Sequence, residues 1–303
     1  MKQWIVAVLL FVLVLSGCSV KDKEKSSQDK AETKTYTMDS GDKVEIPKSP
    51  KRIAVVAATY AGGLKHLGAH IVAVNKQVDD SDVLRDKFKD VEKISDDDVE
   101  KVAQTKPDLI LVFKEDKNIK KYQKIAPTIV IDYSKHKYLE QQKMLGEIIG
   151  EEKKAEQWIK DWKSQTAQDG RDIKGHIGAS STVTIFDEFD KKLYTYGDNW
   201  GRGSEVLYQA FGLKMPDSVK ALTEKDGWAE IPKEKVEAYA GDYIVSTRAG
   251  KAVPEYAKTA LWKNIPAVKN DKVIKVAAST YWFNDPYSLE YIRKDLKQQL
   301  LNK

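Results

Sequence analysis

The chain has 303 residues, of which 41% are hydrophobic and 32% are charged; this composition is typical of a globular protein and excludes wholesale disorder. The formal net charge is +5 and is spread along the chain, so nucleic acid is not an expected partner. Cys18 is the only cysteine, which excludes an internal disulfide and a multi-cysteine zinc site.

The N-terminus predicts a lipoprotein signal peptide over residues 1–17. Lys2 gives a cationic start, an apolar run extends from Ile5 to Leu15, and Leu15-Ser16-Gly17-Cys18 closes it. The run is shorter than the roughly 20 residues that span a bilayer, and small residues before a cysteine are typical of a cleavage and lipidation site. We expect a lipid anchor at Cys18 and a location on the outer face of the cell membrane. The alternatives are an ordinary signal peptide with an incidental cysteine and an uncleaved anchor.

Residues 18–35 are rich in Lys, Asp, Glu and Ser and are predicted to form a flexible tether, because so polar a segment cannot offset the entropy of ordering. From Tyr36 onward, short β-rich runs alternate with helical stretches, which indicates an α/β sheet with crossovers. The first half is predicted to contain strands at 52–57, 71–75, 108–113 and 128–132, and helices at 62–67, 99–105 and 120–125.

Residues 138–173 lack proline and carry apolar side chains at helical spacing, which predicts one long helix, interrupted near Gly146 or Gly150. After this region, short β-rich runs again alternate with helical stretches. The second half is predicted to contain strands at 182–186, 242–246 and 272–277, and helices at 205–211, 233–239 and 287–301.

The two halves contain similar segments. The run from Asp98 to Leu111 parallels the run from Pro232 to Val245, since each is a helix that bears a glutamate and feeds a strand through an aspartate. Chance similarity is the alternative. We therefore predict two Rossmann-like α/β lobes, residues 36–137 and 174–303, bridged by a helical region at 138–173.

Several motifs resemble a known family. Ile46-Pro-Lys-Ser-Pro-Lys-Arg-Ile-Ala-Val and Lys106-Pro-Asp-Leu-Ile resemble the siderophore-binding proteins of ATP-driven importers, the helical-backbone class. Tyr60-Ala-Gly-Gly, the run from Phe186 to Gly203 and Tyr281-Trp-Phe-Asn-Asp-Pro-Tyr resemble ferric-hydroxamate-binding lipoproteins of Gram-positive bacteria. The resemblance covers the chain from Tyr36 to the C-terminus.

The resemblance implies two lobes bridged by a rigid helix, with the ligand in a shallow cleft and little closure on binding. It implies a monomeric receptor that passes an iron(III)-hydroxamate siderophore to an ABC permease with a cytoplasmic ATPase, with no cofactor and no enzymatic activity. Hydroxamate contacts are implied for Tyr133, Tyr194, Trp200 and Arg202. Further candidates are Tyr60 and the cluster of Tyr281, Trp282 and Phe283.

The residue types fit this ligand. A ferric ion held by three hydroxamates is close to neutral, so its receptor needs apolar walls and a few donors rather than a cationic cage. Aromatic rings such as Tyr194 and Trp200 can pack on the organic scaffold, and Arg202 can donate forked hydrogen bonds to hydroxamate oxygens. Gly201 and Gly203 allow the loop to approach closely.

Glu100 and Glu234 occupy matching places in the two similar runs, and the resemblance implies that they dock the permease through its arginines. The alternative is that each is simply a glutamate at a helix start, where the macrodipole favours an acid.

The residue pattern does not favour a metal-ion receptor or a hydrolase. A metal-ion receptor needs converging ligands, whereas the four histidines (His66, His70, His136, His176) are scattered, and no direct metal site is predicted. A hydrolase lacks the usual motifs, and Asp187 and Glu188, as strand neighbours, should point to opposite faces. A haem receptor or a receptor for another siderophore class remains open, and so does the preferred hydroxamate.

Overall fold

The computed structural model describes residues 32–248 and 253–303. The predicted signal peptide, the lipidation site Cys18 and most of the predicted tether lie outside these ranges. Within them, no helix is long and apolar enough to cross a membrane.

The first described element is an antiparallel hairpin of β1 (Thr33–Thr37) and β2 (Lys43–Pro47). The predicted end of the tether at Thr35 is therefore wrong, because Thr35 lies within β1 and pairs with Glu45. β-branched threonines at alternate positions and Tyr36 favour this strand, and Tyr36 packs against the core of the first lobe.

The N-terminal lobe is built on a parallel sheet of order β5-β4-β3-β6-β7. The chain winds outward from β3 in both directions, so the carboxyl ends of β3 and β6 meet at a topological switch point, where ligands usually bind in such sheets. The strands are β3 (Ile53–Val55), β4 (Ile71–Asn75), β5 (Glu92–Ile94), β6 (Leu109–Phe113) and β7 (Thr128–Ile131). The helices are α1 (Ala61–Leu67), α2 (Val99–Gln104) and α3 (Ile119–Tyr122).

Two consecutive helices form the predicted bridging region. α4 (Tyr138–Ile149) ends at Gly150, whose φ is +79°, and α5 (Glu152–Ile177) follows at once. The interruption lies at Gly150, one of the two predicted positions, because a left-handed residue stops the helix and glycine adopts it without strain. At 1.5 Å per residue, the 26 residues of α5 extend over about 39 Å. α5 continues four residues past the predicted boundary at 173.

The C-terminal lobe has a mixed sheet of order β10-β9-β8-β11-β12, in which β8, β11 and β12 are parallel and β9 and β10 are antiparallel additions. The strands are β8 (Val183–Phe189), β9 (Lys192–Tyr196), β10 (Trp228–Ile231), β11 (Tyr243–Arg248) and β12 (Val273–Ala277). The helices are α6 (Asp217–Thr223), α7 (Ala260–Asn264), α8 (Pro266–Lys269), α9 (Ala278–Tyr281) and α10 (Pro286–Leu301).

Two predicted helices of this lobe are not α-helices. The segment Glu205–Ala210 is a π-helix, and Lys233–Tyr239 is a 3-10 helix. Hydrophobic spacing predicts that such a segment is helical but does not distinguish these windings from the α-helix.

The similarity between the two halves has a structural counterpart. Asp108 precedes β6 and accepts hydrogen bonds from the backbone N–H groups of Lys51 (2.6 Å) and Arg52 (2.9 Å), at the start of β3. Asp242 precedes β11 and accepts from the N–H of Thr182 (2.8 Å), at the start of β8. In each lobe the aspartate joins two neighbouring parallel strands, as expected for related lobes.

The chain crosses between the lobes after α9. Tyr281 is buried in the core of the C-terminal lobe, whereas Phe283 is buried in the core of the N-terminal lobe. α10 then packs against α1 and α5. The predicted C-terminal lobe of 174–303 is therefore wrong at this segment, because residue 283 completes the other lobe's core.

Candidate functional site

A cleft of about 1200 Å³ lies between the lobes at the carboxyl ends of β3, β6 and β7. The N-terminal lobe contributes Phe113, Tyr133 and several charged side chains. The C-terminal lobe contributes most of the aromatic surface. These aromatic residues are Phe189, Tyr194, Tyr196, Trp200, Trp228 and Trp282.

Arg202 lies in a loop of unusual backbone conformation. Gly201, Arg202 and Gly203 all have positive φ angles, of 71°, 58° and 83°. A Cβ atom at Gly201 would lie 2.5 Å from the carbonyl oxygen of Trp282, so only glycine permits this close approach. The N–H of Arg202 donates to the carbonyl of Tyr281 at 2.5 Å.

The guanidinium of Arg202 is held from several directions. Its Nε donates to Oδ2 of Asp187 at 3.2 Å, and Nη1 donates to the carbonyl of Trp200 at 3.2 Å. Its Cζ lies 3.7 Å from the ring centroid of Trp282 and 4.6 Å from that of Tyr196. Arg202 is only 8% exposed but lines the cleft, so it is positioned before any ligand arrives.

Asp187 is buried and fixed by further donors. The hydroxyl of Tyr196 donates to its Oδ2 at 3.0 Å, and Thr247 donates to Oδ1. A charged acid so buried is stabilised by charge-assisted hydrogen bonds from partners of this kind. Glu188, its neighbour in β8, instead accepts from Lys233 at 3.3 Å and from the N–H of Glu255 at 3.1 Å. The two carboxylates thus have separate surroundings.

Trp200 and Tyr133 form a wall contributed by both lobes, with ring centroids 5.7 Å apart. Trp200 lies so close to the turn before β10 that a Cβ at Gly227 would be 1.7 Å from its Nε1. Tyr194 packs on Trp228 at 5.7 Å. Tyr194 lies in β9, and its position next to β10 explains that contact.

Three predicted contact residues do not line the cleft. Tyr60, Tyr281 and Phe283 are each 1% exposed and belong to the lobe cores. Tyr60 packs behind the wall against Phe113, and Tyr281 donates to Asp295 at 2.5 Å. Rings at helix–sheet junctions are usually buried as core. Of the predicted Tyr281–Phe283 cluster, only Trp282, which is 37% exposed, faces the cleft.

Four aromatic residues of the cleft were not among the predicted contacts: Phe113, Phe189, Tyr196 and Trp228. Phe113 could have been predicted from the sequence, because it ends a buried strand at the edge where ligands bind in parallel sheets. Phe189 and Trp228 are 62% and 41% exposed, and large exposed rings beside a cleft are available for contact.

The charges on the cleft nearly cancel. Its lining contains five carboxylates and four cationic side chains: Asp96, Glu115, Asp116, Asp132 and Asp226 against Lys114, Lys117, Arg202 and Lys225. Some are paired locally, such as Lys114 with Asp132 at 2.6 Å. A strongly anionic ligand would meet no cationic cage here.

Burial raises the pKa of Tyr133 and of Tyr196 above the ordinary value for tyrosine. Both hydroxyls therefore keep their protons near neutral pH and act as hydrogen-bond donors rather than as phenolate ligands. Among the described residues, no three His, Cys, Asp or Glu side chains are grouped so that they could hold a metal ion.

Glu100 and Glu234 are both exposed and lie in the first turn of α2 and of the 3-10 helix Lys233–Tyr239. These elements precede β6 and β11, the equivalent strands of the two lobes. The two glutamates therefore present equivalent surface positions, one on each lobe.

Two α/β lobes joined by a long helix around a preformed aromatic cleft define a substrate-binding protein of the helical-backbone class. The chain belongs to the periplasmic binding protein family, whose model matches residues 53–280.

The chain is similar to the iron(3+)-hydroxamate-binding protein FhuD of Bacillus subtilis, with 36% identity over 93% of this chain and 92% of the relative. It is 64% identical to FhuD2 from Staphylococcus aureus, solved with bound ferrioxamine B, with a TM-score of 0.83 over 84% of this chain and 99% of that one. The FhuD protein of S. pseudintermedius is 55% identical, with a TM-score of 0.87 over 90% and 99% of the two chains.

Proposed function

We propose that this protein is a lipid-anchored receptor that binds iron(III)-hydroxamate siderophores outside the cell and delivers them to an ABC permease. The observation that carries the proposal is Arg202, fixed by Asp187 and exposed to a cleft walled by aromatic rings. Similarity to proteins named for hydroxamate binding supports the same ligand.

The chemistry of the cleft suits a neutral iron complex. Three hydroxamates neutralise ferric iron and leave oxygens that accept hydrogen bonds, which Arg202 and the protonated Tyr133 can donate. The organic scaffold presents methylene and amide groups, which pack well on Trp200, Tyr194 and Trp228. No step requires catalysis by this chain, because iron stays coordinated by the siderophore throughout.

A ferric catecholate is the alternative ligand, and its strong negative charge distinguishes it. The cleft lining, with five carboxylates and four cationic side chains, offers such a ligand no net positive charge. A haem receptor would need a tyrosine or histidine as iron ligand. Tyr133 and Tyr196, with raised pKa values, resist becoming phenolates.

Delivery requires contact with the permease and a position at the membrane. Glu100 and Glu234 are proposed to dock permease arginines, one from each lobe. The lipid on Cys18 is proposed to keep the receptor on the outer membrane face, where it acts as a monomer.

The test is tryptophan fluorescence of the chain from Ser19 onward, titrated with a ferric hydroxamate, its iron-free form and a ferric catecholate. Saturable quenching by the ferric hydroxamate alone is expected, because Trp200, Trp228 and Trp282 line the cleft. The expected Kd is submicromolar, which corresponds to a binding free energy stronger than about −8 kcal/mol. A preference for the catecholate, or no response to the hydroxamate, would contradict the proposal.

A further inference from the structure

A carboxylate with no cationic partner is buried beneath the ligand loop. Glu205 is 1% exposed, and no Lys, Arg or His of the described ranges lies within ion-pair distance of it. Burial raises the pKa of this carboxyl group. A buried acid without a counter-charge is costly, so its place in the fold calls for a specific role.

Glu205 contacts the loop that carries Trp200 and Arg202. Its Oε1 accepts from the N–H of Gly201 at 2.9 Å, and the hydroxyl of Ser204 donates to its Oε2 at 3.2 Å. That hydroxyl also accepts from the N–H of Trp200 at 3.1 Å. The loop contains Arg202 in the left-handed region, which a residue with a Cβ adopts at a cost. The hydrogen bonds to Glu205 offset this cost and fix the loop.

Asn284 joins this loop to the opposite lobe. Its Nδ2 donates to the hydroxyl of Tyr133 at 3.0 Å and lies 3.4 Å from Oε1 of Glu205. Asn284 is 5% exposed and lies in the segment that crosses between the lobes, directly after Phe283. One amide group therefore connects the two halves of the Tyr133–Trp200 wall.

We propose that Glu205 and Asn284 are positioning residues for ligand binding, which hold the Trp200–Gly203 loop of one lobe and Tyr133 of the other in a single buried hydrogen-bonded network. Neither residue lines the cleft, so each acts through the groups that do. The proposal rests on the proposed function for its ligand and on the contacts above for its mechanism.

The network requires acceptor oxygens at residue 205 rather than a negative charge. Glutamine keeps an oxygen that can accept from Gly201 and Asn284, whereas alanine removes both bonds and leaves the loop unsupported. Glu205→Gln should therefore bind a ferric hydroxamate nearly as tightly as the parent protein. Glu205→Ala and Asn284→Ala should each weaken binding on the order of tenfold or more.

Asp285→Ala is the matched control, because alanine removes a buried carboxylate as Glu205→Ala does, whereas asparagine would cap the helix about as well as aspartate. Asp285 is equally buried, and burial raises its pKa as well, but its carboxylate caps α10 by accepting from Tyr287 and Ser288. This variant should lose stability without a change in ligand affinity. A second control asks whether Glu205 acts through Arg202: in an Arg202→Ala background, Glu205→Ala should cause a much smaller further loss.

The titrations are accompanied by near-ultraviolet circular dichroism without ligand, with the Trp200 signal isolated by comparison with Trp200→Phe. Glu205→Ala should change that signal, and Glu205→Gln should not. The proposal is overturned if Glu205→Ala binds normally, if Glu205→Gln is as weak as Glu205→Ala, or if Asp285→Ala loses affinity equally. If the parent protein binds no ferric hydroxamate, the proposed function fails, and an unchanged Trp200 signal in Glu205→Ala would then overturn the network independently.

Discussion

We propose that Arg202 supplies most of the site's specificity through one side chain. A free arginine loses about 2 kcal/mol of rotamer entropy when a ligand fixes it, but here Asp187 and the rings of Trp282 and Tyr196 hold the guanidinium already. The family resemblance implied a ligand contact for this residue, and the neighbouring Gly201 and Gly203 fit a loop that approaches the ligand closely. The sequence did not predict Asp187 as the partner, because the two lie 15 positions apart and only the β8–β9 hairpin brings them together.

Arg202→Ala should weaken binding of a ferric hydroxamate by roughly 1.5 to 3 kcal/mol, because it removes charged hydrogen-bond donors from a desolvated cleft. Isothermal titration or fluorescence quenching measures the change. Arg202→Lys is the control, since it keeps the charge but loses the planar fork and should recover only part of the affinity. Equal affinity of Arg202→Ala and the parent protein would remove Arg202 from the site.

Among the strands, those buried at the centre of a sheet were predicted more accurately than the half-polar ones. The strands at the sheet centre read as continuous apolar runs, so β3, β6 and β11 were predicted near their observed positions. β9 and β10 were missed because Lys192-Leu-Tyr-Thr-Tyr and Trp228-Ala-Glu-Ile are short, half-polar segments on the antiparallel side of the sheet, and their strand formation depends on their neighbours. Most of the missed cleft aromatics lie in or beside this antiparallel edge.

Gly227→Ala should disturb the antiparallel edge and the site together. Gly227, in the turn before β10, has a φ of +76°, and the Cβ of an alanine at this position would overlap the indole of Trp200. We expect a loss of about 1 to 2 kcal/mol in the free energy of unfolding from the left-handed alanine, and weaker ligand binding because Trp200 must move. Gly41→Ala is the control, since its φ is +86° and nothing lies within 4 Å of its Cβ. If both variants bind ligand equally well, Trp200 does not depend on Gly227.

The whole molecule is a pair of related lobes joined by α4 and α5 and by the segment around Phe283. The sequence predicted the lobes because Asp108 and Asp242 occupy equivalent positions before equivalent strands. It predicted the bridging helix because residues 138–173 lack proline and carry apolar side chains at helical spacing. The sequence did not predict where the chain crosses between the lobes, because Tyr281, Trp282 and Phe283 are all large aromatic residues. Only the packing places Tyr281 in the core of the C-terminal lobe, Trp282 in the cleft and Phe283 in the core of the N-terminal lobe.

Replacement of both Glu100 and Glu234 by alanine should leave ligand affinity unchanged and abolish siderophore-dependent iron uptake by cells. Both side chains are exposed and neither lines the cleft, so their loss should affect only docking to the permease. Glu152→Ala with Asp217→Ala is the control, because these acids are also exposed in first turns of helices. Normal uptake by the Glu100 and Glu234 double variant would contradict the docking role.

The burial of Phe283 in the N-terminal lobe also affects the order in which the molecule can fold. The core that receives this ring is otherwise built from residues 46–155, so the first lobe made on the ribosome lacks a large side chain until nearly all of the chain has been synthesised. Contacts so distant in sequence form late. A chain that stops before residue 283 leaves a phenylalanine-sized cavity in its first domain, at a typical cost of about 3 to 5 kcal/mol. The segment around residue 283 is therefore expected to stabilise the N-terminal lobe, although it comes late in the sequence.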